Sequence, residues 1–394
     1  DTVMDYPEGI EAFHAGDGTI RLTWNRLPET GAHGGDLDGS VTGYRVIRMD
    51  GNGESVSETV VPDTVYVSEP LPMNFYTFSI NGIRNGMYEG DSNSVRLVGG
   101  LRGGQRVVED IAYDAGFSDA PFHVSTEFSD QSTVNQIIYP RSAFQEPCFI
   151  DTLYFFMEPP ALSVSQRIKV HLGTYPKDGF GYYNLEDWVA IDSLSEGFAG
   201  NIRFERGQAV LKVPVEPFFY DREENLLLSV IKGQQTARMD VLFVNNSFYE
   251  GYRQIHDYHT SGMSDYYDLT GKPVMASPMQ IAPILAVNGM EGLNTLQGRI
   301  IAVNGDPLRD ALVSVSSREG SGIAFSRNIK TDTAGRFSFA YFPDNTYQVR
   351  VSKEGFQDVD TVLVLGGGEV RTWDITMEAS AKVCLTGTVR GRQS

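Results

Sequence analysis

The apolar residues of this chain come in short runs that either alternate or stay apolar, and each run stops at a cluster of Gly, Pro, Asn or Asp. Thr19-Ile-Arg-Leu-Thr-Trp24 and Tyr76-Thr-Phe-Ser-Ile80 put every second side chain on one face. That period of two belongs to a pleated strand, whereas a helix would repeat its stripe about every 3.6 residues. Helical stripes are scarce, so the fold class read from the sequence is all-β. Ile281-Ala-Pro-Ile-Leu-Ala-Val287 is among the longest apolar runs, well short of the roughly 18 residues a membrane-spanning helix needs. A chain of 394 residues accommodates two to four domains at roughly 100–200 residues each.

Charge narrows the function classes. The formal net charge is −19, and it is unevenly spread. Residues 1–100 carry 15 acidic and 6 basic side chains, residues 101–290 carry 24 and 14, and residues 291–394 are balanced at 12 and 12. An acidic chain repels phosphate backbones and anionic lipid, which argues against nucleic-acid partners and against membrane insertion. The two cysteines, Cys148 and Cys384, are too few for a disulfide framework or a four-ligand zinc site, and each reads as a small buried hydrophobe. The chain opens on Asp1 rather than Met, which suits a processed or trimmed chain better than a cytosolic protein.

Three stretches of strands follow one another. In residues 1–99, the alternating run ending at Trp24 precedes Gly43-Tyr-Arg-Val-Ile-Arg48, a turn at Asp50-Gly-Asn-Gly53, Tyr76-x-Phe78-x-Ile80 and Ser94-Val-Arg-Leu-Val98. This order resembles a fibronectin type III domain, with Trp24 as the core tryptophan and Tyr44 as the third-strand tyrosine. The polar insert Glu29–Asp38 departs from that pattern. A glycine-rich segment, Gly99–Gly104, reads as a linker that limits bending without abolishing it. Residues 105–289 hold about eight strand candidates, among them Gln136–Tyr139, Cys148–Phe156, Gln166–Leu172 and Asn225–Ile231, which suggests a jelly roll. The phrases Tyr139-Pro-Arg-Ser142, Glu146-Pro-Cys-Phe-Ile150, Ile168-Lys-Val-His-Leu-Gly173, Asp187-Trp-Val189 and Pro217-Phe-Phe-Tyr220 resemble, in order, modules of secreted and surface proteins of Bacteroidetes, some of them beside adhesin or peptidase segments.

Residues 292–379 carry Leu296-Gln-Gly-Arg-Ile300, Gly305-Asp-Pro-Leu308, Ala311-Leu-Val-Ser-Val315, Thr331-Asp-Thr-Ala-Gly335-Arg-Phe-Ser-Phe339 and Tyr347-Gln-Val-Arg-Val351. This stretch resembles a carboxypeptidase regulatory-like domain, a small transthyretin-like sandwich without a zinc site of its own. Leu385-Thr-Gly-Thr-Val389 echoes Leu296–Ile300, so residues 380–394 read as the start of a further, truncated repeat. The expected architecture is three β-sandwich modules in tandem: fibronectin-like, jelly roll, transthyretin-like.

No arrangement of residues carries recognisable catalysis. Gly90-Asp-Ser92 matches a hydrolase nucleophile block in letters, but it falls in a hairpin and lacks an Asp-x-x-His partner. His256 and His259 share no Glu in a zinc-protease spacing. Asp36 with Asp38, and Asp265 with Asp268, offer oxygens at irregular spacing, so structural calcium stands beside a cofactor-free reading. Aromatic residues are more informative. Tyr249, Tyr252, Tyr258, Tyr266 and Tyr267 fall within 19 residues, beside Arg253, His256 and His259. Tyr182, Tyr183 and Trp188 form a second group after Gly179-Phe-Gly181. A tyrosine ring offers a flat apolar face and a polar tip, which suits sugars and peptides. These eleven residues are the candidate ligand contacts. The expected protein is a non-catalytic, monomeric, secreted or outer-membrane-surface protein of a Gram-negative bacterium, whose jelly roll meets a glycan or a host extracellular protein. The alternative is an accessory region of a larger secreted hydrolase or peptidase.

Overall fold

The computed structural model describes residues 6–27, 40–51, 54–84, 86–88, 92–111, 115–125, 127–128, 130–234, 240–247, 251–259, 265–289, 293–318 and 326–380. Tyr249, the Asp36 and Asp38 loop, the Gly90–Asp91 pair, Cys384 and the Leu385–Val389 echo lie outside these residues, as does the side chain of His259. The fold is all-β, and the described helices are four 3₁₀ turns of three residues. The chain divides into two compact units, residues 1–289 and 290–394.

The first unit opens with two small sheets. Glu11–His14, Ile20–Thr23 and Val65–Val67 form one, and Ser55–Val61, Val41–Met49 and Asn74–Arg84 lead the other. The alternation seen in the sequence resolves into inward Ile20, Leu22, Val46, Phe78 and Ile80, packed around Trp24 and Tyr44. The Trp24 and Tyr44 rings meet edge-on at 5.3 Å, and the Tyr44 hydroxyl accepts the Leu27 N–H at 3.0 Å.

Sheet membership changes across Gly99–Gly104, and here the structure corrects the expectation of a bending linker. Gly99, Gly100 and Leu101 are buried. Gly100 sits at φ +78°, and a Cβ there would strike the Pro72 backbone. These glycines therefore serve close approach rather than freedom. Leu101 packs with Phe75, Val98, Ile111, Tyr154, Phe156 and Ile284, so the first and second sandwiches share a small apolar core. Polar contacts reinforce it: Asp110 Oδ1 accepts the Val98 N–H at 3.0 Å, and Arg102 donates to the carbonyls of Asp17 and Leu71 at 2.8 and 3.1 Å.

The second sandwich sets a four-stranded sheet (Val210–Tyr220, Cys148–Phe156, Leu285–Gly289, Gln105–Glu109) against a six-stranded one. The six strands run Ser195–Phe204, Val164–Tyr175, Asn225–Lys232, Ser132–Tyr139, Gln254–His259, Ser277–Met279. Ile137, Tyr139, Val170, Leu172, Leu228 and Val230 face inward onto Leu153, Phe155 and Val213. The other face, with Val134, Ile138, Leu227, Ile231 and Ile255, is covered by long loops carrying Phe180, Trp188, Ile191 and Tyr266. All eight residues of Ser132–Tyr139 are buried for that reason, and a strand covered on both faces loses its alternation.

The second unit packs Arg336–Phe342, Asn294–Ala302, Val370–Thr372 and Ile375–Met377 against Ser326–Lys330, Leu312–Ser317, Asn345–Ser352 and Val359–Leu365. Leu296, Ile300, Val313, Val349, Phe337, Phe339 and Tyr347 are buried. Thr331–Gly335 form a tight turn: Asp332 Oδ1 accepts the N–H groups of Ala334 and Arg336 at 2.8 Å each, and Gly335 adopts φ +71°. Phe356 is only half-buried.

Candidate functional site

Two loops singled out by their tyrosines close over the same face of the six-stranded sheet. One follows Val164–Tyr175 and the other brackets Gln254–His259. They are stitched together. The Phe180 N–H donates to the Tyr252 carbonyl at 2.8 Å, the Ile191 N–H to Gly271 at 3.1 Å, and the Asp192 N–H to Thr270 at 2.7 Å. Trp188 Nε1 donates to the Met275 carbonyl at 2.7 Å. Gly179 packs against the Tyr252 backbone, where a Cβ would come within 3.2 Å of its carbonyl oxygen.

This stitching leaves three tyrosines at the surface. Tyr182 is 70% exposed and Tyr183 58% exposed, and their rings stand 4.5 Å apart at 79°. The half-buried Tyr252 ring lies 5.8 Å from Tyr182 at 33°. Tyr183 holds φ +52°, a conformation rare for a bulky residue. The loop beneath is fixed by Asp187, whose side chain is buried and accepts from the Gly181 N–H and from Lys177 Nζ. Although burial pushes the Asp187 carboxyl upward, the Lys177 and Gly181 donors outweigh it and hold the group below its usual range. The sequence flagged Asp187 only as part of a phrase. Its anchoring role depends on the fold bringing back Gly181, a position where a Cβ would come within 3.0 Å of Asp187 Oδ2.

The other candidate residues do not join this corner, and several are corrections. Trp188 is 1% exposed and belongs to the core over the sheet. Tyr266 is buried too, its hydroxyl donating to Asp257 Oδ2 at 2.6 Å. Tyr267 is buried under the Arg167 guanidinium, 3.5 Å from the ring centre, with Lys169 Nζ at 4.6 Å. Large rings read as contact surface are here the filling that a sheet face requires, because long loops without their own strands must bury something. Burial raises the pKa values of Glu109 and Tyr139, and the nearby Arg253 charge offsets only part of that rise. His256 stands opposite Asn135 in register, on the other side of its strand from Ile255. Its ring is 5.3 Å from His123, and burial lowers its pKa to about 4. Tyr258 rests edge-on against Phe128 at 5.6 Å. His259 pairs its backbone with Ser132.

His256 thus borders a buried polar cluster that the sequence reading missed. His123 Nδ1 lies 3.1 Å from Asp119 Oδ1, and its Nε2 lies 3.0 Å from Asn135 Oδ1. Ser125 donates to the second Asp119 oxygen at 2.6 Å, and Gln254 Nε2 donates to Asn135 Oδ1 at 2.8 Å. Ser125 is bonded to Asp119 rather than to His123, so the three residues are not arranged as a nucleophile and its base. The cluster fastens segment 119–125 to the sheet. Among the described residues no group of three or more His, Cys, Asp or Glu is placed to hold a metal ion. Asp265, one of the calcium candidates, instead accepts the Tyr267 N–H with one oxygen and the Gln234 N–H with the other.

Among solved structures, the chain is similar to 3-chlorocatechol 1,2-dioxygenase from Rhodococcus opacus 1CP at 13% identity, over 22% of this chain and 60% of that one, with a TM-score of 0.19. Catechol 1,2-dioxygenase from Acinetobacter radioresistens matches at 12% identity, over 25% and 56%, with a TM-score of 0.20. The extracellular domains d3–d4 of rat CD45 match at 20% identity, over 25% and 51%, with a TM-score of 0.21. The chain therefore spans less than two thirds of each of these solved chains, and likeness this slight carries no inference about function. No curated protein sequence matches the chain. Residues 295–378, within the second compact unit, match a known family, the carboxypeptidase regulatory-like domain.

Proposed function

We propose that this chain is a non-catalytic, exported binding or adhesion protein. In this reading the second sandwich contacts a glycan or a host extracellular protein through Tyr182, Tyr183 and Tyr252, with the neighbouring sandwiches as its supports, at the surface of a Gram-negative cell. The observation that carries the reading is the exposure of Tyr182 and Tyr183 on a loop otherwise tied down by buried Trp188, Phe180 and Asp187. Exposed rings on an ordered loop lose little freedom when they bind, which is what a recognition surface needs. The test is a binding screen of the purified chain against immobilised glycans and host extracellular proteins. Tyr182→Ala is expected to lower binding at least about tenfold, roughly 1.4 kcal/mol, with an unchanged melting temperature. Binding that survives Tyr182→Ala and Tyr252→Ala alike would sink the reading.

The regulatory-like domain favours a second reading, in which the chain is the accessory region of a larger secreted hydrolase or peptidase. The same tyrosines would then hold substrate for a catalytic domain elsewhere in that protein. Turnover of a bound ligand by the full-length protein, and none by residues 1–394, is the outcome that reading expects.

A further inference from the structure

We propose that the Tyr182–Tyr183–Tyr252 corner takes an uncharged saccharide, an inference that rests on this corner being the ligand site. The geometry suits a sugar ring. The Tyr182 and Tyr252 ring centres lie 5.8 Å apart with their planes 33° from parallel. Tyr183 is turned 79° from Tyr182, and Tyr182 and Tyr183 are mostly exposed. A pyranose presents a flat C–H face to an exposed phenol ring and a rim of hydroxyls to the phenol tips, so apolar contact and hydrogen bonding come from the same three residues.

Charge selects among saccharides. The ionic groups near the corner already have partners: Lys177 Nζ is 2.6 Å from Asp187, Lys272 is 3.8 Å from Glu186, and Asp178 accepts from the Asn225 amide at 3.0 Å. A uronate or sulfate group would meet no uncommitted cation among them. The acidic excess of residues 1–290 adds a long-range repulsion against any polyanion. A protein ligand would need roughly 800 Å² of this surface, more than three rings supply. It would have to extend over other exposed apolar side chains of the paired loops, chiefly Val274 and Met275, which are 68% and 55% exposed. A saccharide has no need of them.

The experiment uses the whole chain on an array carrying neutral, sialylated, uronate-containing and sulfated glycans, with host extracellular proteins beside them. The inference expects binding to neutral glycans that is unchanged between low and high salt. Tyr182→Ala and Tyr252→Ala should each weaken it at least about tenfold, Tyr182→Phe by less, and Val274→Ser with Met275→Gln not at all. Preference for anionic glycans, loss of binding in salt, or no glycan bound overturns the inference. Protein binding that needs both Tyr182 and Val274 also overturns it while leaving the broader reading standing. If Tyr182→Ala changes no binding of either kind, the broader reading itself fails.

Discussion

Trp188 shows how one residue can be read from sequence in two ways. A tryptophan after a glycine-rich loop resembles a ligand platform, yet here the ring is enclosed and its N–H is satisfied by the Met275 carbonyl. Trp188→Ala is expected to cost roughly 3–5 kcal/mol through the cavity it leaves, a fall visible in the denaturant midpoint. Binding lost without any change in stability would contradict this. His256 is likewise a packing residue, and it adds an acid sensitivity. Burial, with the His123 ring beside it, lowers its pKa from 6.5 to about 4. Between those values the unfolded chain takes up a proton that the native chain refuses, so stability is lost as pH falls from about 6.5 to about 4 and is level above. His256→Gln should flatten part of this slope, measured as urea midpoints at pH 7 and 4.5. The remainder would belong to His171 and His14, whose pKa values burial also holds below the usual imidazole range. An unaltered slope would exclude His256 as a source.

At the scale of elements, strands were legible where one face is wet and one is dry. Ile20–Thr23 and Arg336–Phe342 keep their alternation and were found by it. The strand Asn225–Lys232 is buried throughout and reads as an apolar run, which tells of a covered sheet but not of what covers it. Its last residue ties down a neighbour: Lys232 Nζ donates to the carbonyls of Phe128 and Gln131 at 2.8 and 2.6 Å. Burial lowers the Lys232 pKa from 10.5 to about 8. In the window between, the unfolded chain binds the proton and the native chain does not, so stability rises with pH from about 8 upward. Lys232→Met should abolish that rise between about pH 7.5 and 9.5, below the range where exposed tyrosines ionise. A rise of the same size in the variant would show that another group causes it.

Over the whole molecule, glycine content does not mark the division into compact units, because Gly99–Gly104 lies inside the first, residues 1–289. Four of six residues in Gly99–Gly104 are glycine, yet the segment joins two sandwiches firmly because Leu101, Phe75, Tyr154, Phe156 and Ile284 close a common core. Leu101→Ala with Ile284→Ala should remove roughly 2–5 kcal/mol apiece from that junction. Calorimetry of residues 1–289 is then expected to change from one cooperative transition to two. A single transition merely shifted downward would mean that the sandwiches are coupled by other contacts, such as the Arg102 hydrogen bonds to Asp17 and Leu71.

Local chemistry is what the sequence could determine alone. Alternating runs around Trp24 and Phe337, and the Asp332–Gly335 turn, depend on neighbours a few residues away, so the all-β class was readable directly, while the second unit was expected from its resemblance to a known domain family. The grouping of Tyr182 with Tyr252 spans 70 positions and arises only when two loops close over one sheet face. The same closure decided which rings stay wet and which become core, because burial is a property of the assembled layers and not of any residue's identity. Tyr183 and Trp188 are alike in sequence as exposed-loop aromatics; only packing separates them.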